Sequence, residues 1–256
     1  AQGKGKLDLM VDLNLAKADD IKIQGRFTFT DNQVTLAPNT PAVTALNGSI
    51  RFSESSMDST DLQGQWSGEP LSVRIATDAQ GTKIDASGRA SVSELRHSYD
   101  VPVLDQLSGK TLWQARLGIH AGQVDLSLTS DLKGITSSMP EPFNKSASAS
   151  MPVNVSRQSV APVGRRTNAG IEQIWRVSLG NALAGNLGLN GKGQILRGRV
   201  VLGSGQVPGM SEQPGIQLEA LRPFNLDYWV KALGIVTNSA VSKTKSGGAA
   251  NVPTTW

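Results

Sequence analysis

The sequence predicts a mostly β protein: an elongated, curved antiparallel β-groove, or trough, of about fourteen strands with one or two short helices. Apolar and polar residues alternate along most of the chain, which is typical of strands with one apolar and one polar face. Glycines recur in the apolar phase, where they mark a bend or a close approach of two backbones. Aromatic residues make up only 5% of the chain, too few for a thick two-layer core.

The alternation runs through both halves of the chain, and each uninterrupted stretch is predicted to be one strand. In the first half the apolar positions are Leu7, Leu9, Val11, Leu13, Ile21, Ile23, Phe27, Phe29, Leu46, Ile50, Phe52, Leu62, Trp66, Leu71, Val73, Ile75, Ile84, Ala86, Ala90 and Val92. In the second half they are Trp113, Ala115, Leu117, Ile119, Val124, Leu126, Leu128, Leu132, Val153, Val155, Trp175, Val177, Leu179, Leu183, Leu187, Leu189, Leu196, Val200, Leu202, Ile216, Leu218 and Ala220.

Six glycines fall within these apolar phases: Gly25, Gly48, Gly64, Gly88, Gly185 and Gly198. An interior glycine weakens a flat strand, so their repetition favours a sheet that bends across its strands into a trough. The alternative is a β-sandwich whose glycines relieve crowding between two sheets. The period of two fits both arrangements, because it fits an open groove as well as a closed, dry core.

The breaks in the alternation divide the chain. Residues 139–151, rich in Pro and Ser, predict a loop, and Asn225–Leu233 is the best helix candidate, with Gly234 just past its end. The predicted organisation is a β-groove section over 1–95, a short helical or loop connector over 96–110, a second groove section over 111–237 that ends in this helix, and a disordered tail over 238–256.

Composition excludes several classes of function. The 25 Lys and Arg residues are scattered among 21 Asp and Glu residues, so there is no basic patch for a nucleic acid. Cysteine is absent, which excludes disulfides and thiol chemistry. The sequence shows neither a signal peptide nor eighteen consecutive apolar residues, and it does not begin with Met. A piece of a longer protein is therefore expected.

No catalytic, cofactor or metal site is predicted. His97 and His120 each lack a second His or a Cys at ligand spacing, so both are expected to be ordinary surface or strand residues. Residues 130–133 fit the S-x-x-K pattern of serine acyl enzymes, but that chemistry requires a helix. Here the pattern lies in an alternating strand, where positions i and i+3 point to opposite faces.

Several local motifs resemble the YhdP branch of the AsmA-like family of Gram-negative bacteria. Residues 46–52 (LNGSIRF) resemble its L-x-G-x-(L/I)-x-F strand, and residues 68–71 (GEPL) resemble the turn that follows. Residues 107–113 are similar to its LSG…W motif. Residues 130–145 resemble an S-x-L-x-G-(L/I)…P-x-P-x-x-K stretch, with Met139 and Phe143 in place of Leu.

The resemblance implies an internal or C-terminal section of a long periplasmic groove that carries phospholipid between the inner and outer membranes. It also implies an inner-membrane anchor outside this chain and possible protein partners in the periplasm or outer membrane. The absence of catalytic and metal-binding motifs predicts no enzymatic activity and no cofactor. The residues expected to contact phospholipid acyl chains are Leu9, Leu13, Ile23, Phe27, Ile50, Ile75, Leu117, Leu126, Val177, Leu187 and Val200. The alternative function is an envelope scaffold that binds client strands by β-augmentation.

Overall fold

A computed structural model describes residues 2–13, 21–35, 41–160 and 170–221, and it confirms the mostly β prediction. The predicted helix at 225–233 and the tail at 238–256 lie outside the described residues. The strands are β1 (Gln2–Leu13), β2 (Ile21–Val34), β3 (Val43–Ser53), β4 (Met57–Trp66), β5 (Glu69–Asp78), β6 (Gly81–Ser91), β7 (Leu107–His120), β8 (Gln123–Ser130), β9 (Ile135–Ser137), β10 (Val153–Ser159), β11 (Gln173–Leu179), β12 (Leu183–Leu189), β13 (Ile195–Leu202) and β14 (Gly215–Ala220). Between β6 and β7 lie the helix α1 (Val92–Ser98) and a 3-10 turn at Pro102–Gln106.

All fourteen strands belong to one open sheet in which spatial order follows chain order, except that β9 leaves the path and pairs only with β7. Neighbouring strands are antiparallel, as predicted, up to the last pair. There the prediction is wrong, because β13 and β14 are parallel. Parallel neighbours need a crossover connection rather than a tight turn, and residues 203–214 provide one.

The strand registers align the apolar phases into rows that cross the sheet, since residues directly opposite each other share a face. The first row comprises Leu7, Phe27, Ile50, Ser59, Ile75, Ile84, Leu117, Leu126, Arg157, Trp175, Leu187, Gly198 and Ile216. The second row comprises Leu62, Val73, Ala86, Ala115, Leu128, Val155, Val177, Gly185, Val200 and Leu218. We call the face that carries both rows the cavity face and the opposite side the outer face.

The sheet curves around its cavity face. The rings of Trp66 on β4 and Trp113 on β7 lie edge to face with their centroids 5.9 Å apart. Strands three steps apart in a flat sheet are separated by about 14 Å, and their side chains stand perpendicular to it. This contact therefore requires a bend between β4 and β7.

Two glycines show how the backbone allows this curvature. Gly48 has a φ of +123°, and a Cβ there would lie 2.2 Å from the carbonyl oxygen of Asp61 on β4. At Gly88 a Cβ would lie 2.8 Å from the carbonyl oxygen of Pro70 and 3.2 Å from the Trp113 ring. The close backbone approach expected of glycines in the apolar phase is thus confirmed at both positions.

The two long rims of the sheet are built differently. At one rim, which we call the turn rim, short turns at Ala79–Gln80 and Ala121–Gly122 join β5 to β6 and β7 to β8. At the other rim, which we call the covered rim, α1, the 3-10 turn and the β8–β10 connection pack over the cavity face. We call that connection, residues 131–152, the covering segment.

The apolar interior is shallow. Its larger cluster joins Val43, Leu46, Leu62, Leu71 and Ile75 on β3, β4 and β5. Among the described residues no large side chain is completely buried. In that part of the chain every strand belongs to the one curved sheet, with the three-residue β9 attached through β7, so the β-sandwich alternative does not describe this fold.

Candidate functional site

The cavity face holds an apolar cavity of about 950 Å³. Strands from β2 to β8, together with the ends of β10 and β11, line it with aliphatic and aromatic side chains. Among its central residues are Leu62, Val73, Ile84, Trp113 and Leu128. The volume lies near the upper end of the range for small-molecule sites, so the cavity has room for a large apolar ligand.

The covered rim closes the cavity on one side. Leu95 of α1 and Leu104 of the 3-10 turn line it there, and the covering segment adds Met139 and Phe143. Those two residues are buried, and they form a second apolar cluster with Leu179 and its neighbours Leu183 and Leu202. The covering segment thereby bridges from the edge of β7, where β9 pairs, to β11, β12 and β13.

The side chain of Lys145 holds the covering segment together from inside. Its Nζ donates hydrogen bonds to the carbonyl oxygens of Leu132 (2.8 Å), Ile135 (2.5 Å) and Ser146 (3.1 Å). Burial lowers the pKa of Lys145, while the negative charge of Asp131 partly opposes that change. An ammonium group at an apolar wall is stable only with such partners, so Lys145 has a structural role here.

Of the eleven residues predicted to contact lipid, Ile50, Ile75, Leu117 and Leu126 line the cavity. All four belong to the first row, so the predicted alternation places them side by side. Ile75 is buried and the other three are half-buried. Their contact with lipid remains a prediction.

The structure places six of the other predicted residues beyond the cavity walls. Phe27 and Ile23 lie half-buried on β2, and Leu9 on β1 is 55% exposed. Leu13 ends β1, and its side chain lies outside the described residues. Val177, Leu187 and Val200 lie half-buried on β11, β12 and β13, where they extend the same two rows past the cavity.

Sequence reasoning missed the covering residues of the cavity. Met139 and Phe143 lie in a Pro- and Ser-rich stretch without periodicity, which predicts a loop but not its packing. Val92, which the alternation assigns to a strand, and Leu95 lie on a helix of only seven residues, too short for a periodic apolar face to stand out. On the strands, by contrast, extending the alternation to every in-phase residue would have found Leu128 and Ile84.

Charged side chains pair on the outer face. Arg116 contacts Asp85 at 2.6 Å, and Arg199 contacts Glu219 at 2.7 Å. Lys83 contacts Asp78 at 2.7 Å, and hydrogen bonds from the Lys83 ammonium and from backbone amides lower the pKa of Asp78. Where these pairs lie, the outer face is charged and exposed, whereas on β12 and β13 the outer-face residues Ala184, Asn186 and Val201 are buried.

The two histidines take part in local hydrogen bonds. His97 Nδ1 lies 2.7 Å from the carbonyl oxygen of Ser93 within α1, and His120 Nδ1 lies 2.6 Å from that of Gln80. Within the described ranges, no group of three or more His, Asp or Glu side chains is placed to hold a metal ion. In those ranges, no helix has both the length and the apolar character needed to span a membrane.

Comparison with known proteins identifies the family of this chain. The family model described as "YhdP protein" matches residues 1–255. The chain is 26% identical over 258 aligned positions to the intermembrane phospholipid transporter YhdP of Escherichia coli K12. The alignment covers 97% of this chain and 19% of that relative, and no solved structure matches the chain. The match over nearly the whole chain shows that this protein belongs to the YhdP family.

Proposed function

We propose that this chain forms a section of a hydrophobic periplasmic groove that carries phospholipid between the inner and outer membranes. The observation that supports the proposal most strongly is the apolar cavity of about 950 Å³, which joins apolar rows that cross the sheet. The transporter with which the chain aligns is named for the same cargo. The acyl chains are the part of a phospholipid that this lining suits.

The physical basis is the burial of methylene groups. Each methylene removed from water contributes about 0.8 kcal/mol, and the rows offer similar aliphatic surface from strand to strand. A chain that slides along a row exchanges one apolar contact for another of similar free energy. Movement along the groove therefore needs neither a catalytic residue nor a cofactor, and the proposed role is not enzymatic.

The test is lipid occupancy in Leu126→Asp, with Ser127→Asp as the matched control. Leu126 lines the cavity, and Ser127 is the next residue on the same strand, exposed on the outer face. We expect native mass spectrometry to detect phospholipid with the parent chain and with Ser127→Asp but not with Leu126→Asp. Leu187→Asp, further along the first row, should also lose lipid.

Circular dichroism distinguishes a groove from a dry core. A groove tolerates both aspartates, because each carboxylate reaches the water that fills an empty groove. If Leu126→Asp and Leu187→Asp both unfold while Ser127→Asp does not, these residues form a closed core instead. A folded parent chain that neither carries nor takes up phospholipid would contradict the proposed function.

A second candidate function is a scaffold that binds client strands by β-augmentation. In the described part of the chain the sheet is open, with β1 and β14 at its two ends. The unpaired edge of each strand offers backbone groups to another strand. Binding of isolated strand peptides by a chain that takes up no lipid would favour this function.

A further inference from the structure

Arg157 is the single charged residue in the two rows of the cavity face. It lies on β10 directly opposite Leu126 of β8 and Trp175 of β11. The flanking position Val155 is apolar, and Val153 on the same face lines the cavity. A guanidinium group in such a row loses hydration and requires compensation from hydrogen bonds or an opposite charge.

The partners of Arg157 are neutral. Its Nε donates to Gln173 Oε1 at 3.1 Å, and its Nη1 donates to the carbonyl oxygen of Val124 at 3.1 Å. Trp175 Nε1 donates to the same Gln173 oxygen at 3.3 Å. Among the described residues, no carboxylate lies within 4.0 Å of Arg157 and Nη2 has no acceptor. The guanidinium is thus oriented, but its positive charge is not balanced within this part of the chain.

Two arginines of the outer face show the contrast. Arg116 and Arg199 each contact a carboxylate at short distance. Arg176, beside Arg157 on the neighbouring strand, contacts Gln158 Oε1 at 2.5 Å on the outer face. Arg157 differs from Arg116 and Arg199 in having only neutral partners among the described residues, and from Arg176 in lying on the face where an apolar ligand would lie.

The position of Arg157 relative to the cavity suits a phosphate. Leu126, which faces it, lines the cavity, and the cavity extends from there toward the covered rim and its apolar residues. Arg157 lies two residues from Ser159, the end of β10 at the turn rim. An amphiphile with its chains under the covering segment would have its polar end near Arg157.

We infer that Arg157, oriented by Gln173, binds the phosphodiester of a phospholipid whose acyl chains occupy the cavity. Arginine presents planar N–H donors that match two phosphate oxygens, and Nη2 supplies the unengaged ones. The inference rests on the proposed function and adds a preferred position for the headgroup along the groove. A lipid in transit would rest there, because its phosphate finds a cation at this position and only neutral groups elsewhere in the two rows.

The experiment compares a phospholipid with the same lipid lacking phosphate. The full 256-residue chain is titrated with pyrene-labelled phosphatidylglycerol and with pyrene-labelled diacylglycerol of equal chain length, and pyrene fluorescence reports binding. We expect Arg157→Gln to weaken phosphatidylglycerol binding roughly tenfold, as for loss of a charge-assisted hydrogen bond, and to leave diacylglycerol binding unchanged. Arg176→Gln, the control on the outer face, should change neither.

The outcomes separate this inference from the proposed function. Equal affinity of Arg157→Gln and the parent chain for phosphatidylglycerol would overturn the role of Arg157 while leaving lipid binding intact. If Arg157→Gln weakens the binding of both lipids equally, Arg157 serves only to maintain the shape of the groove, and phosphate recognition is overturned. If the parent chain binds neither lipid, the proposed function fails, and the inference fails with it. Binding of free inorganic phosphate by a chain that takes up no lipid would indicate a simple anion site, and it would also overturn the inference.

Discussion

Replacing Lys145 with methionine tests how the covering segment is held over the cavity. Methionine keeps an unbranched apolar side chain but removes the three hydrogen bonds from Nζ to the carbonyl oxygens of Leu132, Ile135 and Ser146. Ile135 is buried, so its carbonyl is the one with least access to replacement water.

The expected loss of stability follows from these contacts. A hydrogen bond to a charged group contributes about 1.5–3 kcal/mol, but the ammonium also loses hydration, as its lowered pKa shows. Water can replace Lys145 at the exposed Ser146. We therefore expect Lys145→Met to lower the free energy of unfolding by about 2 kcal/mol.

The matched control is Lys133→Met in the same segment. The Lys133 side chain is 62% exposed, and its Nζ lies 3.8 Å from Asp131. An exposed ion pair of this kind contributes less than about 1 kcal/mol. The difference between the two variants thus isolates the internal hydrogen bonds from the loss of a positive charge.

Urea unfolding gives the two free energies, and hydrogen exchange locates the effect. The amides of Gly134 and Ser137 donate to the carbonyl oxygens of Ala147 and Lys145 within the covering segment, so they should exchange faster in Lys145→Met. Amides in the middle of the sheet should be little affected. If both variants lose the same small amount of stability, Lys145 does not hold the segment, and our reasoning about it is refuted.

Two further predictions concern the sheet itself. Gly88→Ala should destabilise the chain by roughly 1–3 kcal/mol, as overpacking does, because the new Cβ would lie 2.8 Å from the carbonyl oxygen of Pro70. In the control Gly118→Ala, the new Cβ would meet nothing within 4 Å, so this variant should be neutral or slightly stabilising. Thermal unfolding measures both changes. Equal melting temperatures for the two variants would contradict this account of Gly88. Lys83 and backbone amides lower the pKa of Asp78 from its ordinary value of 3.8. The ionised carboxylate therefore stabilises the fold above that ordinary value, and this contribution is lost as the pH falls through the lower pKa of the folded state. Asp78→Asn should therefore flatten the dependence of stability on pH below about 4, and an unchanged acid titration would exclude the contribution.

The strand pattern was predictable from sequence because it depends on local alternation. Ile50, Ile75, Leu117 and Leu126 share one row, as their phases imply. Register adds what the phase alone does not provide: which residue of one strand faces which residue of the next. In a sheet whose neighbours are joined mainly by short connections, the turns largely determine that register.

The covering segment and the parallel pair at the end were not predictable in the same way. Met139 and Phe143 pack against residues of β11 to β13 that lie more than thirty-five positions away, and nothing periodic marks that contact. The β13–β14 connection contains Pro208 and Pro214, which predict a loop but not its direction. Arg157 was visible in the sequence as a polar residue, but its place in an apolar row required the registers of β8, β10 and β11.

The agreement between chain order and spatial order gives this protein the energetics of a linear array. Most strands contact only the strands before and after them, so stability is expected to be close to a sum of nearest-neighbour terms. Contacts close in sequence also favour rapid, stepwise growth from any hairpin. Adding or deleting a hairpin would change the length of such an array while preserving its cross-section. The covering segment interrupts this scheme, because it couples β7 directly to β11, β12 and β13. We therefore expect that stretch to unfold as one cooperative unit.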